Sequence, residues 1–132
     1  MNMNPTILNV NPAQLKKAVE DLRDMLGDGL IATDIWDRFT GMALASYDTR
    51  PEAVALLNFV TYELAEALNK AKFPGLSRYY LIDLEDDTSA LLIQHGKDLF
   101  QGMLLSNQKV NLGVVFSMVI PKMLASVASA RG

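Results

Sequence analysis

Over residues 51–72 the apolar side chains recur at helical spacing, but they do so on more than one side of the helix they define. Leu57, Val60, Leu64 and Leu68 make one stripe, and Leu56, Phe59 and Tyr62 widen it beyond the arc that a helix resting on one surface buries. Thr49 and Glu52 fit a capping box and Pro51 is tolerated in a first turn, so the helix is expected to start there. Phe73, Pro74 and Gly75 break it. Such a helix needs its own domain on one side and a further partner on the other.

The segments around it alternate in period. Asn11, Pro12 and Gln14 form a helix-start signature. Leu15, Ala18, Val19, Leu22 and Leu26 then repeat at helical spacing up to a stop at Gly27. Residues 29–36 and 42–47 are rich in β-branched, aromatic and small apolar side chains and predict a hairpin. After the central helix, residues 77–84, 89–94 and 98–105 read as three strands with connectors short enough for hairpins. Asn111 starts a last helix carrying Leu112, Val115, Val119, Met123 and Val127, with Pro121 inside it. A proline ring crowds the carbonyl four residues back and costs ~3 kcal/mol in an isolated helix, so a bend or break is expected near Pro121.

The predicted order is αββαβββα. Five strands in two meander blocks joined by a helix make one five-stranded antiparallel sheet with helices packed on both faces, an α+β fold. The chain has 132 residues, half of them apolar, enough for one domain over residues 12–130 behind a flexible leader at 1–11. The net charge is −3 with no long run of one sign, so no electrostatic footprint for nucleic acid is present. Cysteine is absent, which leaves no disulfide and no thiolate chemistry and makes the cytoplasm the default location. The most apolar stretch, residues 110–127, is interrupted by Gly113, Ser117, Pro121, Lys122 and Ser126, so no membrane span is expected.

Catalytic chemistry is hard to place in this chain. There is a single histidine, His95, beside Gly96 at a strand end, where an exposed turn residue is expected. Asp83, Glu85, Asp86 and Asp87 match no calcium-loop spacing and read as a solvated turn. Glycines form no phosphate-binding pattern. Arg38 and Arg50 flank the first hairpin as solvated side chains, and Trp36 is read first as core and second as an anchor for a partner. No catalytic residue, metal site or cofactor is therefore assigned, and the chain is read as a non-enzyme. The candidate site is a protein interface on the central helix: Leu56, Phe59 and Tyr62, with Glu63 and Glu66 on the wet side of the same helix.

Local sequence adds a family resemblance. The first hairpin, with Asp and Gly in its turn and Ala45-Ser46 closing its second strand, together with Leu112-Gly113 opening the last helix, resembles the Roadblock (dynein light-chain) family, in its bacterial form within the longin/profilin-like group. The resemblance spans residues 12–130 and departs at the bulky turn between Trp36 and Gly41, which leaves the strand register open, and at Pro121. It implies homodimers or heterodimers formed through the second helix and an adjoining sheet edge, acting as scaffolds or as regulators of small Ras-like GTPases. The alternative is a small-molecule-sensing signalling module of PAS, GAF or profilin-like type, with a pocket between sheet and helices lined by some of the seven methionines.

Overall fold

The computed structural model describes residues 9–131, so residues 1–8 of the expected leader lie outside it. Helix α1 (Pro12–Leu26) begins where Asn11 accepts the amide hydrogens of Ala13 and Gln14 at 3.0 and 3.3 Å, and it ends at Gly27, whose positive φ of 54° suits glycine. Strands β1 (Leu30–Asp37) and β2 (Ala43–Tyr47) form the first hairpin, and α2 (Pro51–Lys70) follows. Strands β3 (Tyr79–Asp83), β4 (Thr88–His95) and β5 (Leu99–Ser106) precede a closing helix α3 (Leu112–Ala130). The order is αββαβββα, as the sequence predicts.

The strands form one antiparallel sheet in the order β2-β1-β5-β4-β3, so β2 and β3 are its edges. Helices α1 and α3 cover one face, where Leu15, Leu22, Val115, Val119, Met123 and Val127 meet Ile35, Leu91, Ile93, Met103 and Leu105. Helix α2 covers the other, where Val54 and Leu57 pack on Trp36, Ala90, Leu92 and Phe100. The two ends of the described segment meet: the Asn11 amide donates to the Ala130 carbonyl at 2.7 Å, and Val10 bridges to Arg131.

Two local expectations are corrected. Thr49 does not cap α2. Its hydroxyl donates to Asp34 at 2.6 Å, Arg50 occupies the cap position, and the Arg50 amide also reaches Asp34, at 3.1 Å. Pro121 does not break the last helix; the irregularity expected near it takes the form of a π turn just before the proline. Residues Val115–Val119 form a π turn in which the Ile120 amide donates to the Val115 carbonyl, so Pro121 falls into the first turn of a fresh α segment, Ile120–Ala130, where its missing N–H is not required. By length and composition α3 would suffice to cross a membrane. Here its inward residues Val115, Val119, Met123 and Val127 are core.

The open register of the first hairpin resolves into a β-bulge between Ile35 and Trp36, which pair with Ala45 and Ala43. The turn beyond it is held by Asp37, whose carboxyl accepts from the Phe39 amide at 2.9 Å and whose carbonyl accepts from the Gly41 amide at 2.7 Å.

Candidate functional site

Helix α2 lies close to the sheet because Gly102 of β5 has no side chain. A Cβ there would come within 2.8 Å of the Leu57 methyl and 3.2 Å of the Trp36 ring. The helix therefore buries only a narrow stripe, Val54, Leu57 and Thr61, with Leu64 and Leu68 half-buried. The side chains that made the sequence pattern too wide point away: Leu56, Phe59 and Tyr62 are 57, 62 and 60 % exposed. Glu63 is exposed beside them and Glu66 half-buried.

Phe59 and Tyr62 also form one wall of an open groove of about 640 Å³ between α2 and the edge strand β2, with Ala55 and Asn58 on the helix side and Gly41, Ala43 and Thr49 opposite. Asn58 sets this arrangement. Its carbonyl oxygen accepts from the Trp36 indole N–H at 3.1 Å and its amide donates to the Arg38 carbonyl at 3.3 Å, tying the hairpin to the helix. Phe39 and Met42, at the hairpin tip, are 65 and 63 % exposed. By contrast, the space enclosed between α2 and the sheet amounts to about 10 Å³, the room of one water at most. The interior pocket anticipated for a sensor module is filled by Trp36, Val54 and Leu57.

The remaining candidates find ordinary partners. Trp36 is fully buried, edge-on to Phe100 at 6.0 Å. The Arg38 guanidinium lies over the Phe100 ring at 4.8 Å and donates to the Lys97 carbonyl, while Arg50 pairs with Asp48 at 2.9 Å. In the acidic turn, Asp86 accepts from the Thr88 amide and hydroxyl, and Asp83 from Asn107. Among the described residues, no three histidine, aspartate or glutamate side chains converge as a metal site.

His95 is the clearest correction: it is 3 % exposed, not a surface turn residue. Gln101 donates to the Thr33 hydroxyl at 3.2 Å, and that hydroxyl donates to the Gly102 carbonyl at 2.8 Å. The Gln101 carbonyl oxygen is left to accept from His95 Nε2 at 2.8 Å, which assigns the ring proton to Nε2. Arg131 closes the row, donating to the His95 carbonyl at 2.6 Å and to both Asp98 oxygens. Burial first, then the nearby Arg131 charge, push the imidazole down to about 4, against the bond from Gln101.

The consequence for stability has a definite sign. Above the ordinary histidine value of 6.5 the ring is neutral folded and unfolded and contributes no pH dependence. Between 6.5 and about 4 the unfolded chain takes a proton that the folded one refuses, so stability falls with falling pH, by on the order of 3 kcal/mol in full. Urea midpoints measured between pH 7 and 4.5 are expected to show this slope, and His95→Gln to flatten it. An unchanged slope in that variant would assign the acid sensitivity elsewhere.

A five-stranded antiparallel sheet of this order, with two helices on one face and one on the other, is the Roadblock/LC7 fold. Its solved counterparts include MglB from Myxococcus xanthus, 10 % identical with a TM-score of 0.75 over 98 % of this chain and 91 % of that one. An MglB in a tetrameric arrangement is 18 % identical, TM-score 0.73, covering 97 % of each chain. The Roadblock/LC7 domain from Streptomyces avermitilis is 14 % identical, TM-score 0.63, over 88 and 93 %. No family model matches the sequence, and no curated protein does either.

Proposed function

We propose that this chain is a non-catalytic cytoplasmic protein, one domain over residues 12–130, that self-associates through the outward face of α2 and serves as a scaffold or as a regulator of a small Ras-like GTPase. One observation carries the reading: Leu56, Phe59 and Tyr62, three large apolar side chains, are more than half exposed on one side of one helix. Covering each is worth roughly 1.5–3 kcal/mol, and a patch of that kind marks a contact surface. Glu63 and Glu66 sit on or beside the same face as its polar surround. The fold supports the same reading, since the Roadblock resemblance implies dimers that work on GTPases, and MglB, with this fold, is found in a tetrameric arrangement. No cofactor enters it. Any nucleotide belongs to the GTPase, and the groove left open along β2 is where a partner could reach the assembly.

Sedimentation of the full chain at micromolar concentration should give the mass of a dimer or a higher multiple. Phe59→Asp, which places a charge at the centre of the patch, is expected to weaken association by at least a hundredfold while leaving the helical circular-dichroism signal intact. A wild-type chain that sediments only as monomer removes the self-association reading. The regulatory half is tested by adding the protein to a Ras-like GTPase from the same genome and following phosphate release; an unchanged rate across such partners leaves the scaffold alone.

A further inference from the structure

Helix α3 has the length and composition of a membrane span, yet only 28 % of that stretch is buried. Val115, Val119, Met123 and Val127 take up its inward side. Val114, Phe116 and Pro121 stay exposed over the rest of its first half, and Met118 is 63 % exposed. The ring of Tyr79, from the edge strand β3, stacks on Phe116 at 5.7 Å and carries the apolar surface across to the sheet. None of these side chains belongs to the outward face of α2, which lies on the other side of the sheet. Charge is distributed to match. All 15 carboxylate side chains of the chain fall within residues 1–98, and residues 99–132 carry Lys109, Lys122 and Arg131 as their only charged side chains. Arg131 is taken up by Asp98. Lys109, just ahead of α3, Lys122, one turn beyond Met118, and Arg78, next to Tyr79, are exposed, and among the described residues none of the three enters an ion pair. Asp28 adjoins Gly29, which packs on the Lys109 carbonyl, so it offsets one of these cations at most.

We propose that the α3 face docks on an anionic lipid bilayer, with Phe116, Met118 and Tyr79 entering the boundary between headgroups and acyl chains and Arg78, Lys109 and Lys122 meeting lipid phosphates. The helix lies in the interface plane and does not cross it, because crossing would pull Val115, Val119, Met123 and Val127 out of the core. The sheet takes the place that solvent holds against the polar side of a free interfacial helix. Shape favours a fluid surface. Phe116, Ser117 and Met118 are exposed in succession, which spans about half the circumference of a helix, so the apolar surface is a convex ridge and not a groove. A bilayer accepts such a ridge without a matching cavity, and long cationic side chains at its margin reach back to the phosphates. Tyrosine, with an apolar ring and a polar tip, suits that depth. Docked in this way, α2 and the groove along β2 face away from the lipid and stay open to protein partners, so the two surfaces work independently.

Flotation of the full chain with vesicles tests this. Phosphatidylcholine containing about a third phosphatidylglycerol is expected to carry the protein upward at low salt, and pure phosphatidylcholine to bind it at least tenfold more weakly. Lys122→Gln should weaken binding to the anionic vesicles about fivefold, the effect of one charge near such a surface. Met118→Glu, at a side chain the core does not enclose, should weaken it at least tenfold with an unchanged melting temperature. The chain's single tryptophan supplies a readout of orientation. Trp36 packs on the α2 side of the sheet, so lipid brominated near the headgroup should leave wild-type fluorescence unquenched and quench the added indole of Met118→Trp. Absence of flotation with anionic vesicles, equal binding to neutral ones, or binding indifferent to both Lys122→Gln and Met118→Glu overturns the proposal. Quenching of the wild type as strong as that of Met118→Trp overturns the orientation and the proposal with it. If Met118→Glu instead lowers the sedimenting mass of the lipid-free protein, the ridge is a contact between copies and the lipid assignment falls.

Discussion

Trp36→Ala is expected to destabilise the fold by about 3–5 kcal/mol, the range for emptying a fully enclosed aromatic site. The indole is 0 % exposed and lies edge-on to Phe100, against the gap left by Gly102. Alanine leaves a void there that Leu57 alone cannot fill without drawing α2 inward. The loss also extends beyond packing. The indole N–H is the donor that holds Asn58 Oδ1, and Asn58 in turn holds the Arg38 carbonyl. Without it the hairpin carrying Phe39 and Met42 loses its tie to α2, and the groove along β2 loses its defined width. Trp36→Phe keeps most of the volume and removes only the donor, at about 1–3 kcal/mol. Urea denaturation followed by circular dichroism ranks the two. A loss below about 1 kcal/mol for Trp36→Ala would mean that the site collapses freely and that Gly102 does not fix the distance between helix and sheet.

The residues that show where the elements begin and end were readable because local chemistry decides them. Asn11, Gly27 and Asn111 act within a few residues of themselves, and a side chain that caps a helix needs no tertiary partner to do so. The width of the α2 pattern was readable for the same reason: period alone shows that Leu56, Phe59 and Tyr62 lie off the main stripe. What period does not show is which half of a wide stripe the sheet takes. Gly102 decides that here, bringing the helix down on Val54, Leu57 and Thr61 and turning the three large side chains out. Gly102 lies more than thirty positions along the chain from any of them, and no local signal links them.

Thr49, His95 and Asp34 were opaque for a related reason. Thr49 has the sequence of a cap, and a capping oxygen is worth about 1 kcal/mol, but a buried carboxyl group offers its hydroxyl a stronger partner. His95 sits beside a glycine in a short connector, where exposure is the ordinary outcome. Its burial follows from Arg131, at the far end of the chain, folding over the β4–β5 turn and pairing with Asp98, whose carboxyl it holds below the usual range. Asp34 puts a carboxylate in the middle of a largely apolar strand, between Thr33 and Ile35, and nothing local in the sequence shows that it makes a polar contact with the start of α2.

Asp34→Ala should therefore be the second severe substitution, at about 3–5 kcal/mol, although no apolar surface is lost. The side chain is 3 % exposed, and its oxygens accept from the Ser46 hydroxyl, the Thr49 hydroxyl and the Arg50 amide at 2.5, 2.6 and 3.1 Å. These come from β2, from the connector and from the residue at the cap position of α2, so a single carboxyl group joins the edge strand to the start of that helix. Removing it leaves three donors facing a gap, each costing about 1–3 kcal/mol to the extent that water cannot replace the acceptor. The two hydroxyls can turn to other acceptors; the Arg50 amide, fixed by the helix, cannot. Asp34→Asn provides the control. Its carbonyl oxygen can face the Arg50 amide while its NH₂ group donates to the two hydroxyl oxygens, reversing those bonds without breaking the network. It should retain most of the stability, because the direction in which α2 leaves the sheet is unchanged. In Asp34→Ala the first turn of α2 frays, and amide exchange at Ala53 and Val54, whose hydrogens bond to the Arg50 carbonyl, should accelerate well ahead of global unfolding. Equal exchange at those two amides in Asp34→Ala and wild type would show that Pro51 alone fixes the helix start.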